Sequence, residues 1–341
     1  MMKYKLLGRS GLRVSELALG TMTFGEDWGW GASKDESRKM FDLYASQGGN
    51  FIDTAVNYTD GTSEKFVGDF ISSDRDHFVL ATKFTLNTRR PDPNFGGNHR
   101  KNLMRSVEQS LTQLKTDFID LLWLHAWDFT TPLDEVMRTL DDLVRSGKVL
   151  YLGISDTPAW IVSQANTMAD LRGWTPFAAL QIPYSLIERT PERDLLPMAR
   201  VLDLAVTPWG ILGSGVLSGK YNSDAKASGR AQLRGPVSEK SLTIAREAES
   251  IAKEIGATTS QVAVAWLRKQ EGVIVPILGA RTPDQLSDNL KSLEIHLEPA
   301  HLKRLDEVSK IELGFPYGFL NLASDMIFGA SADQLENHHR K

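Results

Sequence analysis

The chain has no cysteine among its 341 residues. That excludes disulfides, thiolate zinc sites, iron–sulfur clusters and a cysteine nucleophile, and it fits a reducing compartment. It has no large excess of charge: 39 basic residues face 43 acidic ones, a net of −4, with a pI near 6.0. A chain so balanced lacks the basic stripe of a dedicated nucleic-acid binder. No apolar run approaches the roughly 18 residues a membrane span needs. The opening Met1-Met2-Lys3-Tyr4-Lys5-Leu6-Leu7-Gly8 has no apolar stretch of the secretory kind. There is no linker, low-complexity segment or run of like charge. The expectation is a globular, cytoplasmic protein. At about 150 residues per domain the length gives two domains, or one α/β barrel. Such a chain buries about three-quarters of its unfolded surface and needs no staples.

What is present is an alternation. Short, near-continuously apolar runs recur at Leu17–Thr21, Phe51–Ala55, Phe78–Phe84, Phe118–His125, Val149–Ser155, Ala178–Tyr184, Ala205–Trp209 and Val273–Gly279. That pattern belongs to parallel strands covered on both faces. Between and after them the period switches to that of helices, at Lys34–Gln47, Ser63–Ile71, Lys101–Leu114, Leu133–Val144, Pro158–Arg172, Ser241–Ile255, Ser260–Gln270, Thr282–Lys291 and Pro299–Ser309. Ser33 is placed to cap the first, and Gly48-Gly49 to end it. Eight strands alternating with helices predict a (β/α)8 TIM barrel over an open sheet. Gly8–Val14 reads as the turn of a short N-terminal β-hairpin. The expected organisation is one domain over residues 1–341, with the barrel at about 16–310 and a polar tail at 330–341. The loop Asn222–Pro236 is small, charged and aperiodic, as a mobile loop or a loop that closes over a ligand is.

In such a barrel, function sits at the C-terminal strand ends. Asp53 closes the second strand and Tyr58 follows in its loop; Lys83 lies near the end of the third; His125 closes the fourth. Three have an ordinary reading alone, as a helix-capping or loop-binding aspartate, a structural lysine–aspartate pair and a satisfied core histidine, and Tyr58 alone says nothing. Together they fit proton transfer. A tyrosine has a reference pKa near 10, and bringing it toward 7 takes about 4 kcal/mol of phenolate stabilisation. A neighbouring Lys83 supplies positive charge, Asp53 keeps that lysine charged, and His125 places a substrate oxygen. This is general acid chemistry on a carbonyl, or general base chemistry on an alcohol.

Other motifs fall short. Gly213-Ser214-Gly215 begins like a dinucleotide fingerprint, but its next glycine, Gly219, comes one residue late. There is no Walker A motif. The seven histidines show no metal-ligand spacing, and His338-His339 lie in the polar tail.

The chain resembles the aldo-keto reductases from Leu6 to about Leu305. The resemblance is carried by Leu12-Arg13-Val14-Ser15, Phe51-Ile52-Asp53-Thr54-Ala55 with Tyr58, Ser63-Glu64, the Lys83 strand, Asp120-Leu121-Leu122 with His125, Gly153-Ile154-Ser155, Gln181 with Tyr184-Ser185-Leu186, Pro208-Trp209, Gly219-Lys220-Tyr221, and Gly279-Ala280-Arg281 with Gln285 and Asn289. The Gly25–Ser33 loop, Gly96-Gly97-Asn98-His99-Arg100 and Leu124-His125-Ala126-Trp127-Asp128 resemble the aryl-alcohol-dehydrogenase-like branch.

The resemblance implies NADPH (or NADP+) as cofactor and Asp53, Tyr58, Lys83 and His125 as the catalytic tetrad. It places Ser155 and Gln181 at the nicotinamide carboxamide, Trp209 under its ring, Arg281 at the 2′-phosphate, and Gln285 and Asn289 near adenine. Gly279 opens the last helix, whose N-terminus suits a phosphate, the Gly213–Lys220 loop covers the pyrophosphate, and Gly210 and Leu212 are also expected at the cofactor. Two departures stand out. Asp156 replaces the usual asparagine, and a carboxylate accepts but does not donate. Gly210-Ile211 replaces a Ser-Pro pair, removing one hydroxyl.

The chain carries eight tryptophans. Phe24, Trp28, Trp30 and Trp127 fall at the predicted mouth and favour an aromatic or bulky apolar substrate. The resemblance implies an NADPH-dependent oxidoreductase reducing an aldehyde or ketone to the alcohol, and the reverse. An aryl aldehyde, a keto-sugar or a xenobiotic or mycotoxin-derived ketone all remain open as substrate. The alternatives are an NADPH-binding redox-sensing subunit with little turnover, and a metal- or phosphate-dependent barrel lyase. The expected partners are small molecules, with no nucleic acid or membrane and with self-association open.

Overall fold

A computed structural model describes residues 2–222, 236–329 and 331–336. The interior of the Asn222–Pro236 loop, the tail beyond Glu336 and the His338-His339 pair lie outside the described residues. The chain enters through an antiparallel hairpin, β1 (Tyr4–Leu6) and β2 (Arg13–Ser15). Eight parallel strands follow: β3 (Ala18–Gly20), β4 (Phe51–Asp53), β5 (Val79–Phe84), β6 (Ile119–Leu124), β7 (Val149–Ser155), β8 (Phe177–Pro183), β9 (Ala205–Trp209) and β10 (Ile277–Gly279). They pair in chain order, and β10 returns beside β3. The barrel closes through a parallel bridge from Val206 to Ile274, with Val206 N donating to Val273 O at 2.7 Å and Val275 N to Val206 O at 2.8 Å. The (β/α)8 barrel and its N-terminal hairpin are as the sequence predicts.

The helices form where their caps and periods place them. Ser33 Oγ accepts from Glu36 N at the head of α1 (Lys34–Ser46). Between the middle strands lie α2 (Thr62–Ile71), α3 (Arg100–Leu114), α4 (Leu133–Arg145) and α5 (Ala159–Arg172). A seven-residue α6 (Leu195–Val201) precedes β9. It contains Pro197 and is too short to show a period in sequence. Two helices, α7 (Glu239–Ile255) and α8 (Thr259–Arg268), lead to the last strand, the second opening on a Thr258–Gln261 capping box. After it come α9 (Pro283–Leu290) and α10 (Pro299–Ser309). The expected strand Val273–Gly279 is split. Pro276 lacks an N–H, so the ladder breaks there: Ile274 serves β9, Pro276 O accepts from Ala18 N, and only Ile277–Gly279 pairs with β3. Among the described residues no helix is long and apolar enough to cross a membrane.

Strand alternation sorts the core into two shells. Leu80, Leu122, Leu152 and Leu180 face the helices. Phe51, Val79, Ala81, Leu121, Trp123, Ala179 and Ala205 fill the barrel itself, and Leu7 and Val14 of the hairpin join that cluster. Trp123 requires Gly153 on the neighbouring strand, where an added Cβ would meet its ring at 2.3 Å. The same parity, continued upward, changes from apolar to polar: Phe51 leads to Asp53, Val79 and Ala81 to Lys83, Trp123 to His125, Gly153 to Ser155, Ala179 to Gln181 and Ala205 to Trp209. Six strands thus deliver the candidate site side chains to one end.

Candidate active site

A cleft of about 1030 Å³ crosses the C-terminal mouth of the barrel. Beneath its floor lies the Lys83–Asp53 ion pair, at 2.5 Å, with side-chain exposures of 0% and 4%. Lys83 Nζ also donates to Thr54 O at 2.9 Å, and Gln181 Nε2 donates to Asp53 Oδ1 at 2.9 Å. Burial pulls the Lys83 pKa down, but the Asp53 charge and Tyr58 more than reverse it, and the net shift is upward. Lys83 is an ammonium.

Tyr58 is held above this pair by a strained turn. Thr59 and Asp60 both take left-handed backbone, with φ of 45° and 53°. That conformation costs a non-glycine residue energy and persists only when its neighbours fix it. Thr59 Oγ1 fixes it, donating to Phe24 O at 2.6 Å and accepting from Ser63 N at 3.0 Å. The Tyr58 ring lies 4.9 Å from Lys83 Nζ and 6.0 Å from the His125 ring. The three groups and Asp53 do converge on one spot.

The expected fall of the Tyr58 pKa is not what the protein does. Burial raises it, Lys83 opposes, and the charges of Asp53 and Asp156 reinforce the rise. The ion pair is nearly neutral seen from outside, so the lysine cannot offset desolvation. Tyr58 is a protonated phenol at neutral pH. His125 is driven the other way, down to about 3, by burial and then by Lys83. It is a neutral imidazole with one N–H to donate, and its Nδ1 is buried without a partner.

The cleft is lined by every residue matched to the cofactor: Ser155, Asp156, Gln181, Trp209, Gly210, Leu212, Gly213, Lys220, Gly279, Arg281, Gln285 and Asn289. Ser155 Oγ is buried without a hydrogen-bond partner. Trp209 Nε1 donates to Asp156 Oδ1 at 3.2 Å. The loop after β9 turns through left-handed Gly213, Ser214 and Gly215. Gly213 admits no side chain, since a Cβ there would lie 2.1 Å from Ile187 Cδ1. At the far end Thr282 caps α9 and Arg281 stands exposed, with no ion pair among the described residues.

The four aromatics expected at the mouth divide. Trp28 lines the cleft, its ring 6.4 Å from Tyr58 and its Nε1 donating to Asp60 Oδ1 at 3.3 Å. Trp30 packs on Trp28 at 5.7 Å without lining the cleft. Phe24 is fully buried against Phe70, because the turn that seats Tyr58 is hung from its carbonyl; it is core, not pocket. Trp127, half-buried, packs against the helix-side core and does not line the cleft. Leu86 and Met22, unforeseen, supply apolar lining.

Sequence reasoning also passed over a clamp on the His125 loop. Asp128 Oδ2 accepts from Asn98 N at 2.7 Å and Asp128 Oδ1 from Thr130 N and Thr131 N. Asn98 Nδ2 donates to Ala126 O, and its Oδ1 accepts from Thr85 Oγ1 at 2.7 Å. Thr85 Oγ1 in turn accepts from His125 N. The signal was present as an Asp two and three residues before threonines, the pattern of an Asx cap. Glu64 was seen only as part of a motif. It lies fully buried on the helix side of β5, accepting from Thr82 Oγ1 at 2.5 Å, and burial pushes its carboxyl up to about 7.

A model of the aldo/keto reductase family matches residues 16–310. The chain belongs to that family. It is 39% identical over 325 residues to norsolorinic acid reductase of Aspergillus flavus, covering 92% of this chain and 83% of that protein. It is 36% identical over 352 residues to an aryl-alcohol dehydrogenase [NADP(+)] of Phanerodontia chrysosporium, covering 95% and 88%. It is 37% identical over 340 residues to an aldo-keto reductase of Aspergillus calidoustus, covering 94% and 85%. As an aldo/keto reductase it is an oxidoreductase, and the C-terminal barrel mouth is where such a fold carries its chemistry.

Proposed function

We propose that this protein is an NADP(H)-dependent carbonyl reductase of aromatic or bulky apolar aldehydes and ketones, with Tyr58 as the proton donor. The observation that carries the reading is the convergence of a protonated Tyr58, an ammonium Lys83 and a neutral His125 on the floor of the cleft that the cofactor-matched residues line. The residues fit a nicotinamide dinucleotide. The unpartnered Ser155 Oγ and the amide oxygen of Gln181 suit a carboxamide. The half-buried Trp209 indole offers a flat wall. Arg281 and the α9 N-terminus suit phosphate.

When bound, the cofactor supplies hydride to a carbonyl carbon, or takes it from an alcohol. The protein's own part is the proton and the pose. His125 donates its N–H to the substrate oxygen and polarises it. Tyr58 gives that oxygen its proton, and Lys83 stabilises the charge left on the phenolate. Asp53, fixed by Gln181, keeps the lysine charged and aimed. Trp28, Leu86 and Met22 make the substrate end apolar, which favours flat, weakly hydrated carbonyl compounds. The relatives named for aryl alcohols and for norsolorinic acid point the same way.

The test is loss of NADPH absorbance with a panel of aromatic aldehydes and bulky ketones. Turnover is expected. No turnover, together with no quenching of tryptophan fluorescence by NADPH, overturns the proposal. Arg281→Ala is expected to weaken NADPH binding by about 10- to 100-fold, the range of one lost charge-assisted contact, and to leave NADH binding nearly unchanged. Equal losses for the two would remove Arg281 from the 2′-phosphate.

A further inference from the structure

Asp156 is a charge that the proton-transfer machinery does not use. Its carboxylate is set in the cleft wall against Trp209, with 3.2 Å from Nε1 to Oδ1. Its backbone is left-handed, with φ of 42°. Asparagine, aspartate and glycine tolerate that conformation best. Two of those three would carry no charge there, so the carboxylate is not required by the backbone. The indole N–H is neutral; burial raises the Asp156 pKa, and the Trp209 hydrogen bond and Lys83 oppose it only in part, so the carboxylate is short of compensation.

The surroundings do not cancel it either. Lys83 is the cation whose charge acts on Asp156 among the described residues, and it is already paired with Asp53. His125 is neutral, and Tyr58 is a phenol. Asp60, beyond Tyr58, turns outward to Trp28 Nε1. Among the described residues that face Tyr58 and Lys83, the floor of the site carries one negative charge without a cation of its own, and Asp156 holds it. That charge is close enough to act on Tyr58.

Resting on the function proposed above, the nicotinamide end of the cofactor must lie here, because a hydride donor has to reach the carbon whose oxygen Tyr58 protonates. Hydride transfer moves two electrons and one hydrogen to the carbonyl carbon, Tyr58 supplies the proton to the oxygen, and the nicotinamide ring is left with one positive charge. We propose that Asp156 is a redox-biasing residue: its carboxylate favours the cationic NADP+ ring over the neutral NADPH ring. The bound couple is thereby a stronger hydride donor than it would be beside an asparagine. The site is tilted toward carbonyl reduction at the hydride step.

The test is binding, not turnover. Wild type and Asp156→Asn are titrated with NADP+ and with NADPH, reading quenched tryptophan fluorescence. The asparagine side chain keeps an acceptor for Trp209 Nε1 and tolerates the left-handed backbone, so the fold is preserved. The ratio Kd(NADP+)/Kd(NADPH) is expected to rise about fivefold, what one charge contributes at contact range even at the dielectric of water. That corresponds to a rise of about 20 mV in the potential of the bound couple. The NAD+/NADH ratio, which does not involve the 2′-phosphate, is expected to move by the same factor. Asp156→Gly, the other residue suited to this backbone, is expected to move both ratios in the same direction. Ratios unchanged within twofold, with both cofactors bound, overturn the assignment. Failure of wild type to bind any of the four nucleotides instead overturns the function on which it rests.

Discussion

Tyr58→Phe is expected to lower carbonyl reduction by about a thousandfold, within the range that a positioned general acid contributes, while NADPH still quenches tryptophan fluorescence. The substitution removes one oxygen and keeps the ring that packs beside Trp28 and His125. The cofactor-matched residues lie on other strands, so binding survives. The pH dependence follows from the direction of the Tyr58 shift. Burial, only partly opposed by Lys83, holds the phenol protonated beyond its ordinary range. Reduction needs that proton, so kcat for reduction is expected to stay flat from about pH 6 to pH 9. Alcohol oxidation needs the phenolate and is expected to rise with pH across the same window. His125 does not disturb this, since its pKa of about 3 leaves the imidazole neutral throughout. Turnover by Tyr58→Phe within tenfold of wild type would assign the proton to another group. A bell-shaped reduction profile centred near neutrality would show that the lysine does lower the phenol.

The strand ends were legible because two simple periods coincide there. Parallel strands covered on both faces are continuously apolar, so Asp53, Lys83 and His125 stood out as polar interruptions at the tops of apolar runs. The barrel rule then brought them together. What was not legible depends on contacts between distant loops. The Asn98–Asp128 clamp joins loops after two different strands, and no local pattern in either announces the other. Phe24 read as a mouth aromatic because it precedes Trp28 and Trp30. Its carbonyl is in fact the anchor of the Tyr58 turn, and its ring is consumed by the core. The direction of the Tyr58 pKa is hidden from the sequence for a related reason. Residue identities give the sign of Lys83's effect, but only packing gives the size of the desolvation opposing it and shows that Asp53 already neutralises the lysine.

The same pair sets the largest expected effect on stability. Lys83→Met is expected to destabilise the fold by about 3–5 kcal/mol, the cost of stranding one member of a buried ion pair. Methionine fills the volume, but Asp53 is left buried with Gln181 Nε2 as a remaining donor. Urea unfolding at neutral pH measures the difference. In the wild type the Lys83 pKa is raised on folding. Its stabilisation is therefore fully present below the unfolded lysine value of about 10.4 and is lost as pH rises through the folded value. The deficit of the variant is thus expected to be full-sized at pH 7 to 9 and not to need acid or base to appear. Asp53→Asn combined with Lys83→Met removes both charges, and is expected to recover most of the stability, because well-packed neutral groups replace buried pairs at little cost. It is not expected to recover turnover, since the phenolate left by proton transfer has no cation beside it. The two variants therefore separate folding from catalysis. A single substitution within about 1 kcal/mol of wild type would mean that Asp53 finds water or a proton at no cost, and the floor of the site is wetter than its burial implies. Turnover restored in the double variant would mean that the ion pair serves folding alone, and that Tyr58 performs its transfer without it.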